Sequence, residues 1–287
     1  MVGLDRRAAL PRIERLRALF LTPAAALLLV TLVAPSLIVC AYALLTRGAY
    51  GGVERPWTFE NFALLWDPLY GVIFFRSFWI AAVSTVLCLA LAFPLALFIS
   101  RSGPRKNLYL SLVILPFWTS FLIRTYAWMF LLRDTGLINT ALRSLGLIRQ
   151  PLPMLYNSGA VILGLVYGFL PFAVLPLYAT LERLDPSLLE AAADLGAKPL
   201  SALFRVTIPL CAPGIRAAAI LTFVPCLGTY LTSDLLGGSK TILIGNVIQN
   251  QFTASRDWPF GAALSLVLMM AAIALLFFAR GRGEELL

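Results

Sequence analysis

The chain has no histidine, only 14 acidic residues, and 4 cysteines that never cluster in its 287 positions. Cys40, Cys88, Cys211 and Cys226 each stand alone on an apolar stretch. Their spacing suggests neither a disulfide framework nor a metal site, and they read as small buried thiols. The acids are missing where an ion-driven carrier needs them. No Asp or Glu occurs between Asp67 and Asp134, or between Asp257 and Glu284. Carriers coupled to proton or sodium gradients place ionisable groups in the bilayer to bind and release the coupling ion. Without acids or histidine a proton relay has no parts, and only sodium held by unwound backbone would leave room for a secondary carrier. The same scarcity leaves no nucleophile–base pair or metal cluster for an intramembrane enzyme. A phosphate loop is also absent. Gly237-Gly238-Ser239-Lys240-Thr241 resembles the end of one, but Ser239 stands where glycine must precede the lysine, and no apolar strand leads into it. An exposed turn is expected there.

What the chain has in abundance is apolar sequence. Hydrophobic residues make up 60% and charged residues 13%, with a mean hydropathy of +0.86. A soluble domain of this size could not hide that surface, so lipid is the expected solvent. Apolar blocks near 19–46, 71–100, 108–132, 155–181, 214–236 and 258–280 are each long enough to cross a hydrocarbon core of roughly 30 Å as helix. The expected fold class is therefore all-α and polytopic, with about six transmembrane helices. The fifth block is interrupted by Pro225 and Gly228. The first mimics a secretory signal, with arginines, an apolar run and Ala41-Tyr42-Ala43. A signal's apolar core is only about 7–15 residues, so a retained first helix is the better reading.

Lysine and arginine set the orientation. Arg6, Arg7, Arg12, Arg15 and Arg17 precede the first block, and Arg101, Arg105, Lys106, Arg183, Lys198, Arg205, Arg216, Arg280 and Arg282 fall on the same side. Fewer basic residues fall opposite, among them Arg133, Lys240 and Arg256. Both termini are thus expected in the cytoplasm. The net charge of +9 follows this topology. No basic run is interleaved with a nucleic-acid motif, so no nucleic-acid partner is expected.

The loop between the fourth and fifth blocks reads as a compact helix–turn–helix. Asp185 suits an N-cap and Pro186 a first helical position. Leu188, Leu189, Ala192 and Leu195 give an apolar face, and Gly196 is placed to close the helix in left-handed geometry. Lys198-Pro199 turns the chain into a second short helix that runs to about Thr207. Such an object either docks in a groove of another protein or lies on the lipid surface.

Glu190-Ala191-Ala192, three residues, Gly196, nine residues, then Val206-Thr207-Ile208-Pro209 resembles the EAA loop of binding-protein-dependent ABC importer permeases. Val206 and Ile208 are conservative departures from its usual isoleucine and leucine. The resemblance implies the type I importer permease fold with a cytoplasmic coupling helix. In that fold Glu190, Ala191, Ala192, Gly196, Val206 and Pro209 meet the ATP-binding subunit. It further implies a dimer of ATP-binding subunits that hold ATP and Mg, with no cofactor in this chain and no enzymatic activity of its own. A second homologous permease, an extracytoplasmic solute-binding protein and a location in the bacterial inner membrane complete the picture. Leu115-Pro116-Phe117-Trp118-Thr119-Ser120, Ile123-Arg124-Thr125-Tyr126-Ala127-Trp128, Gly136-Leu137-Ile138-Asn139 and Asp234-Leu235-Leu236-Gly237-Gly238 are similar to the spermidine/putrescine branch. That branch often carries glycine-glutamate-aromatic ahead of the last stretch, where Gly228-Thr229-Tyr230 stands here.

These readings divide the chain into a cytoplasmic segment 1–18, a first transmembrane helix 19–46, a permease core 70–280 and a tail 281–287. The expected cargo is a small organic solute, a polyamine by the branch resemblance; other solutes of that class remain open because the binding protein sets much of the specificity. Trp118, Arg124, Tyr126, Tyr167, Tyr230 and Asp234 are the candidate pathway residues, with Trp128, Phe172 and Phe223 as further rings. An amine can sit over such rings, although helix packing or interfacial anchoring is the better reading of any single one. Arg124 is expected either to snorkel to the outer interface or to pair with a carboxylate on a partner or binding protein. Asp234 is the expected cation contact at the outer mouth.

Overall fold

A computed structural model describes residues 21–281, with side chains up to residue 277. The segment 1–18 and the tail beyond 281 lie outside the described residues. Helices long and apolar enough to cross a membrane are α1 (Leu21–Ala43), α2 (Pro68–Ser100), α6 (Ser158–Glu182) and α11 (Trp258–Gly281, apolar from Trp258 to Phe277). Between α2 and α6 lie α3 (Lys106–Ile114), α4 (Phe121–Leu132) and α5 (Leu137–Ser144). After α6 come α7 (Ser187–Asp194), α8 (Pro199–Leu210), α9 (Ala212–Gly228) and α10 (Ile244–Thr253).

Two expected spans are not straight. The third breaks at Thr119-Ser120, where the segments Gly103–Trp118 and Phe121–Ser144 meet at 88°. The fifth is also interrupted. Pro199–Leu210 meets Ala212–Gly228 at 69°. Thr229 then takes an extended conformation and a wide turn follows at Ser233–Gly237. Hydropathy averages over such breaks, because Pro116, Pro225 and Gly228 are single uncharged residues within long apolar runs, while proline withdraws a backbone donor.

The chain divides into two compact units, one running to Leu65 and adding Gln251–Val267, the other comprising Trp66–Asn250 and the residues from Leu268 onward. In the first unit α1 ends at Ala43, short of the expected 46, because a small antiparallel hairpin takes over. Its strands β1 (Leu45–Arg47) and β2 (Val53–Trp57) add a feature absent from the sequence reading. Asn61 Nδ2 donates to the carbonyls of Ala43 and Leu45 at 2.9 and 2.8 Å, which closes the open end of α1. Arg47 Nη2 donates to the Ser255 carbonyl at 2.7 Å, and Tyr42 stacks on Trp258.

The second unit is built on α2, α6 and α9. Asp67 caps α2 by accepting from the Leu69 N–H at 2.8 Å, with Pro68 in the first turn. Asn157 caps α6 in the same way through the Ala160 N–H at 2.9 Å. The buried face of α2 consists largely of small residues, Ala81, Ser84, Thr85, Cys88, Ala92 and Ala96. These let α6 approach closely, with Val166, Ala173, Val174 and Leu177 in the shared core. In lipid, close packing of this kind holds helices together where water-driven burial is unavailable. Lys106 pairs with Glu182, tying the start of α3 to the end of α6.

Candidate functional site

Two helix breaks and the middle of α6, all in the second unit, surround one cavity of about 800 Å³. The break in the third span contributes Phe117, Thr119, Phe121 and Arg124. The break after α9 contributes Pro225, Gly228, Thr229, Tyr230 and Leu231, and α6 contributes Gly168, Phe169 and Phe172. Pro171 and Pro225 lack the N–H that would bond the carbonyls of Tyr167 and Leu221 within their helices. Gly168 and Phe172 stand near the midpoint of the 25-residue α6, which puts the cavity at mid-depth of a span.

Aromatic rings line most of it. Phe117 meets Phe172 edge-on at 6.3 Å, and Phe169 lies 6.2 Å from Phe121 and 6.0 Å from Phe172. Among them sits one cation. The Arg124 guanidinium carbon is 4.1 Å from the centroid of Phe117, 5.7 Å from Phe121 and 5.9 Å from Tyr167. Its Nε and Nη1 are buried without a hydrogen-bond partner. Arg124 therefore does not snorkel outward as the length of its side chain allows; the ring faces hold it inside.

The remaining sequence candidates scatter. Tyr230 lines the cavity and its carbonyl accepts from Asn246 Nδ2 at 3.1 Å. Tyr167 packs edge-on against Trp128 at 5.5 Å, one layer behind, and Phe223 packs on Phe78. Trp118 is 84% exposed and Tyr126 40% exposed; neither lines the cavity. Asp234 is exposed on the turn Ser233–Gly237 and also lies outside the lining. Phe117, Phe121 and Phe169 were not singled out from sequence. Their signal was available in the Pro and Gly interruptions of two apolar blocks, which mark discontinuous helices.

The second site is the α7–α8 pair. Asp185 accepts from the Ser187 N–H at 2.9 Å ahead of α7, and this bond holds its carboxyl below the ordinary range. Gly196 has φ +82°, and the Gly196 and Ala197 N–H groups close the helix on the carbonyls of Ala193 and Ala192. Glu190 and Ala191 are exposed, whereas Ala192 is buried. Val206 lies in a wide turn, Leu203–Thr207, and Pro209 follows exposed in α8. A cavity of about 430 Å³ separates Leu97 and Arg101 of α2 from Leu189, Ala193 and Leu200 of this pair. Leu195, Leu200 and Phe204 remain exposed at 89%, 70% and 64%.

Discontinuous spans that meet at a mid-depth cavity are the arrangement in which membrane transporters hold solutes. Residues 72–280 match the family described as binding-protein-dependent transport system inner membrane component, and the chain belongs to that family. It is 43% identical over 254 residues to the spermidine/putrescine transport system permease protein PotB of Haemophilus influenzae, covering 88% of each chain. The PotB protein of Escherichia coli K12 is 42% identical over 254 residues, covering 88% of this chain and 92% of its own. The inner membrane ABC transporter permease protein YdcU of Escherichia coli K12 is 36% identical over 78% of this chain and 75% of its own. Among solved structures, a chain of a bacterial ABC transporter that imports alginate superposes with a TM-score of 0.74 at 19% identity, over 98% of this chain and 99% of that one. The fold is thus that of an importer permease, and the chain is a multi-pass inner-membrane component of a transport system.

Proposed function

We propose that this chain forms half of the translocation pathway of an ATP-driven polyamine importer. The observation that carries the reading is the mid-depth cavity of Phe117, Phe121, Phe169, Phe172 and Tyr230 at two helix breaks. Ring faces attract ammonium groups, and breaks in transmembrane helices are where transporters offer backbone carbonyls to cations. The identity to spermidine/putrescine permeases supports the same cargo. The permease pairs with a second, homologous one and receives cargo from an extracytoplasmic binding protein. ATP and Mg are bound by two partner subunits, and this chain needs no cofactor. Both termini face the cytoplasm, with 70–280 as the permease core. The exposed Leu195, Leu200 and Phe204 of the α7–α8 pair give the ATPase a docking surface, on which Glu190, Ala191, Gly196, Val206 and Pro209 lie. Closure of the ATPase pair shifts α7–α8 against the end of α2 and turns the cavity from one side of the membrane to the other.

One observation favours a second cargo reading. Arg124 places a positive charge in the cavity, which suits a small solute carrying an anionic group. Uptake by the reconstituted complex, with its binding protein, decides between them. Putrescine and spermidine should be taken up only with ATP, and a neutral diol of similar size should not. Tyr230→Ala should lower amine uptake by about twofold to thirtyfold, the worth of one ring of about 0.5–2 kcal/mol. Equal transport of amine and diol, or a binding protein that ignores amines, would reject the amine reading, and uptake of a carboxylate-bearing solute instead would establish the second.

A further inference from the structure

Arg124 carries a charge that the described residues leave unbalanced. Phe117, Phe121 and Tyr167 solvate the face of its guanidinium, but ring faces do nothing for N–H groups in the guanidinium plane, which need acceptors. The donors at Nε and Nη1 are buried and have none. The position adds to the demand. Arg124 stands in the first turn of α4, where Ser120 provides no side-chain cap and the helix end is itself positive.

No carboxylate lines the cavity. The ion pairs among the described residues are Arg47–Asp257 and Lys106–Glu182, and neither involves Arg124. The acid-free stretch from Asp67 to Asp134 holds both the second span and Arg124's own helix. The described residues thus hold no counter-charge for Arg124, and a neighbouring subunit is the natural source of one. On the reading above the cargo is an amine, which donates hydrogen bonds and repels a guanidinium, so it cannot fill this role.

We propose that the second permease subunit presents an Asp or Glu to Arg124 across the pathway, so that the cavity is charge-balanced only in the assembled pair. This rests on the reading that a second permease faces the cavity and that the cargo is cationic. An arriving ammonium then competes with Arg124 for one carboxylate and for the Phe117 face. Charge in the pathway is exchanged between protein and cargo rather than left bare at any stage.

The test uses the full complex of both permeases and the ATPase, first without any amine. Arg124→Gln strands the partner's carboxylate and should lower the recovery of the partner permease with this chain by on the order of tenfold, or the melting temperature of the complex by several degrees. Arg124→Lys should recover most of the loss. Each membrane-span Asp or Glu of the partner is then neutralised in the Arg124→Gln background. One of them should restore assembly, and reversal of both charges, with Arg124→Glu and that acid changed to Arg, should do so as well. Wild-type assembly and melting of Arg124→Gln would overturn the proposal. So would single and double variants whose effects simply add for every acid of the partner. Normal assembly with uptake lost would assign Arg124 to the cargo instead, which also overturns it. A binding protein that ignores amines, alongside intact coupling between Arg124 and one partner acid, would reject the cargo reading alone.

Discussion

Gly245 lies so close to Thr229 that a β-carbon on it would fall 2.7 Å from the Thr229 carbonyl oxygen and 2.9 Å from that of Gly228. The first turn of α10 thus rests directly on the backbone break that ends α9. Neither neighbour is a side chain that could swing away. The break that shapes one wall of the cavity is held open by the missing methyl group of a residue outside the lining.

Gly245→Ala should therefore push the Thr229 segment toward the cavity. Overpacking against rigid backbone costs about 1–3 kcal/mol. The variant should insert and assemble, yet transport amines at least several-fold more slowly. Uptake in proteoliposomes, compared with ATP hydrolysis by the same complex, provides the measure. Wild-type uptake would mean that α10 can move off the break without consequence.

Gly196 occupies the left-handed region at φ +82°, with open space around it. A β-branched residue is strained there by backbone alone, since nothing blocks its side chain. Gly196→Val should leave membrane insertion near normal while opening the turn between α7 and α8. Transport should fall more than tenfold, with ATP hydrolysis no longer stimulated by the loaded binding protein. Coupled transport at the wild-type rate would remove the main support for α7–α8 as the ATPase contact.

Lys198 and Lys240 are both exposed and flank the fifth span. Orientation by the arginines near the N-terminus puts the first in the cytoplasm and the second outside. In a chain freed of Cys40, Cys88, Cys211 and Cys226, Lys240→Cys should react with an impermeant thiol reagent in intact cells. Lys198→Cys should react only after the cells are opened. Equal labelling of the two would reverse or dissolve the topology.

Asp185 gives α7 a pH dependence whose sign is fixed. Its carboxyl is held below the ordinary value, chiefly by the Ser187 backbone N–H. The ionised cap stabilises the helix start fully above the ordinary carboxylate pKa, and that contribution fades as pH falls through the lowered value. Asp185→Asn keeps an acceptor but cannot titrate. Protection of the α7 amides from exchange, corrected for intrinsic rates, should drop on acidification in the wild type and stay flatter in the variant. Identical profiles would show that the cap does not hold the helix.

Much of this protein was legible because its physics is local. Apolar runs of sufficient length become spanning helices whatever their neighbours, since backbone in lipid must bond to itself. Asp185 and Gly196 mark helix ends with chemistry that acts within a few residues, and both do so in the structure. The short hairpin after α1 was missed because two short strands give no periodic signal of their own. The cavity was only half legible. Pro225 and Gly228 announced an interruption, but which rings gather around it depends on how two breaks and the middle of α6 meet. That meeting is set by long-range packing, such as Gly245 against Thr229, which no spacing along the chain encodes. Sequence could place Arg124 far from the cytoplasmic end of its span. Whether its side chain reached outward or folded inward was decided by Phe117, Phe121 and Tyr167, whose ring faces gather around it only in the folded chain.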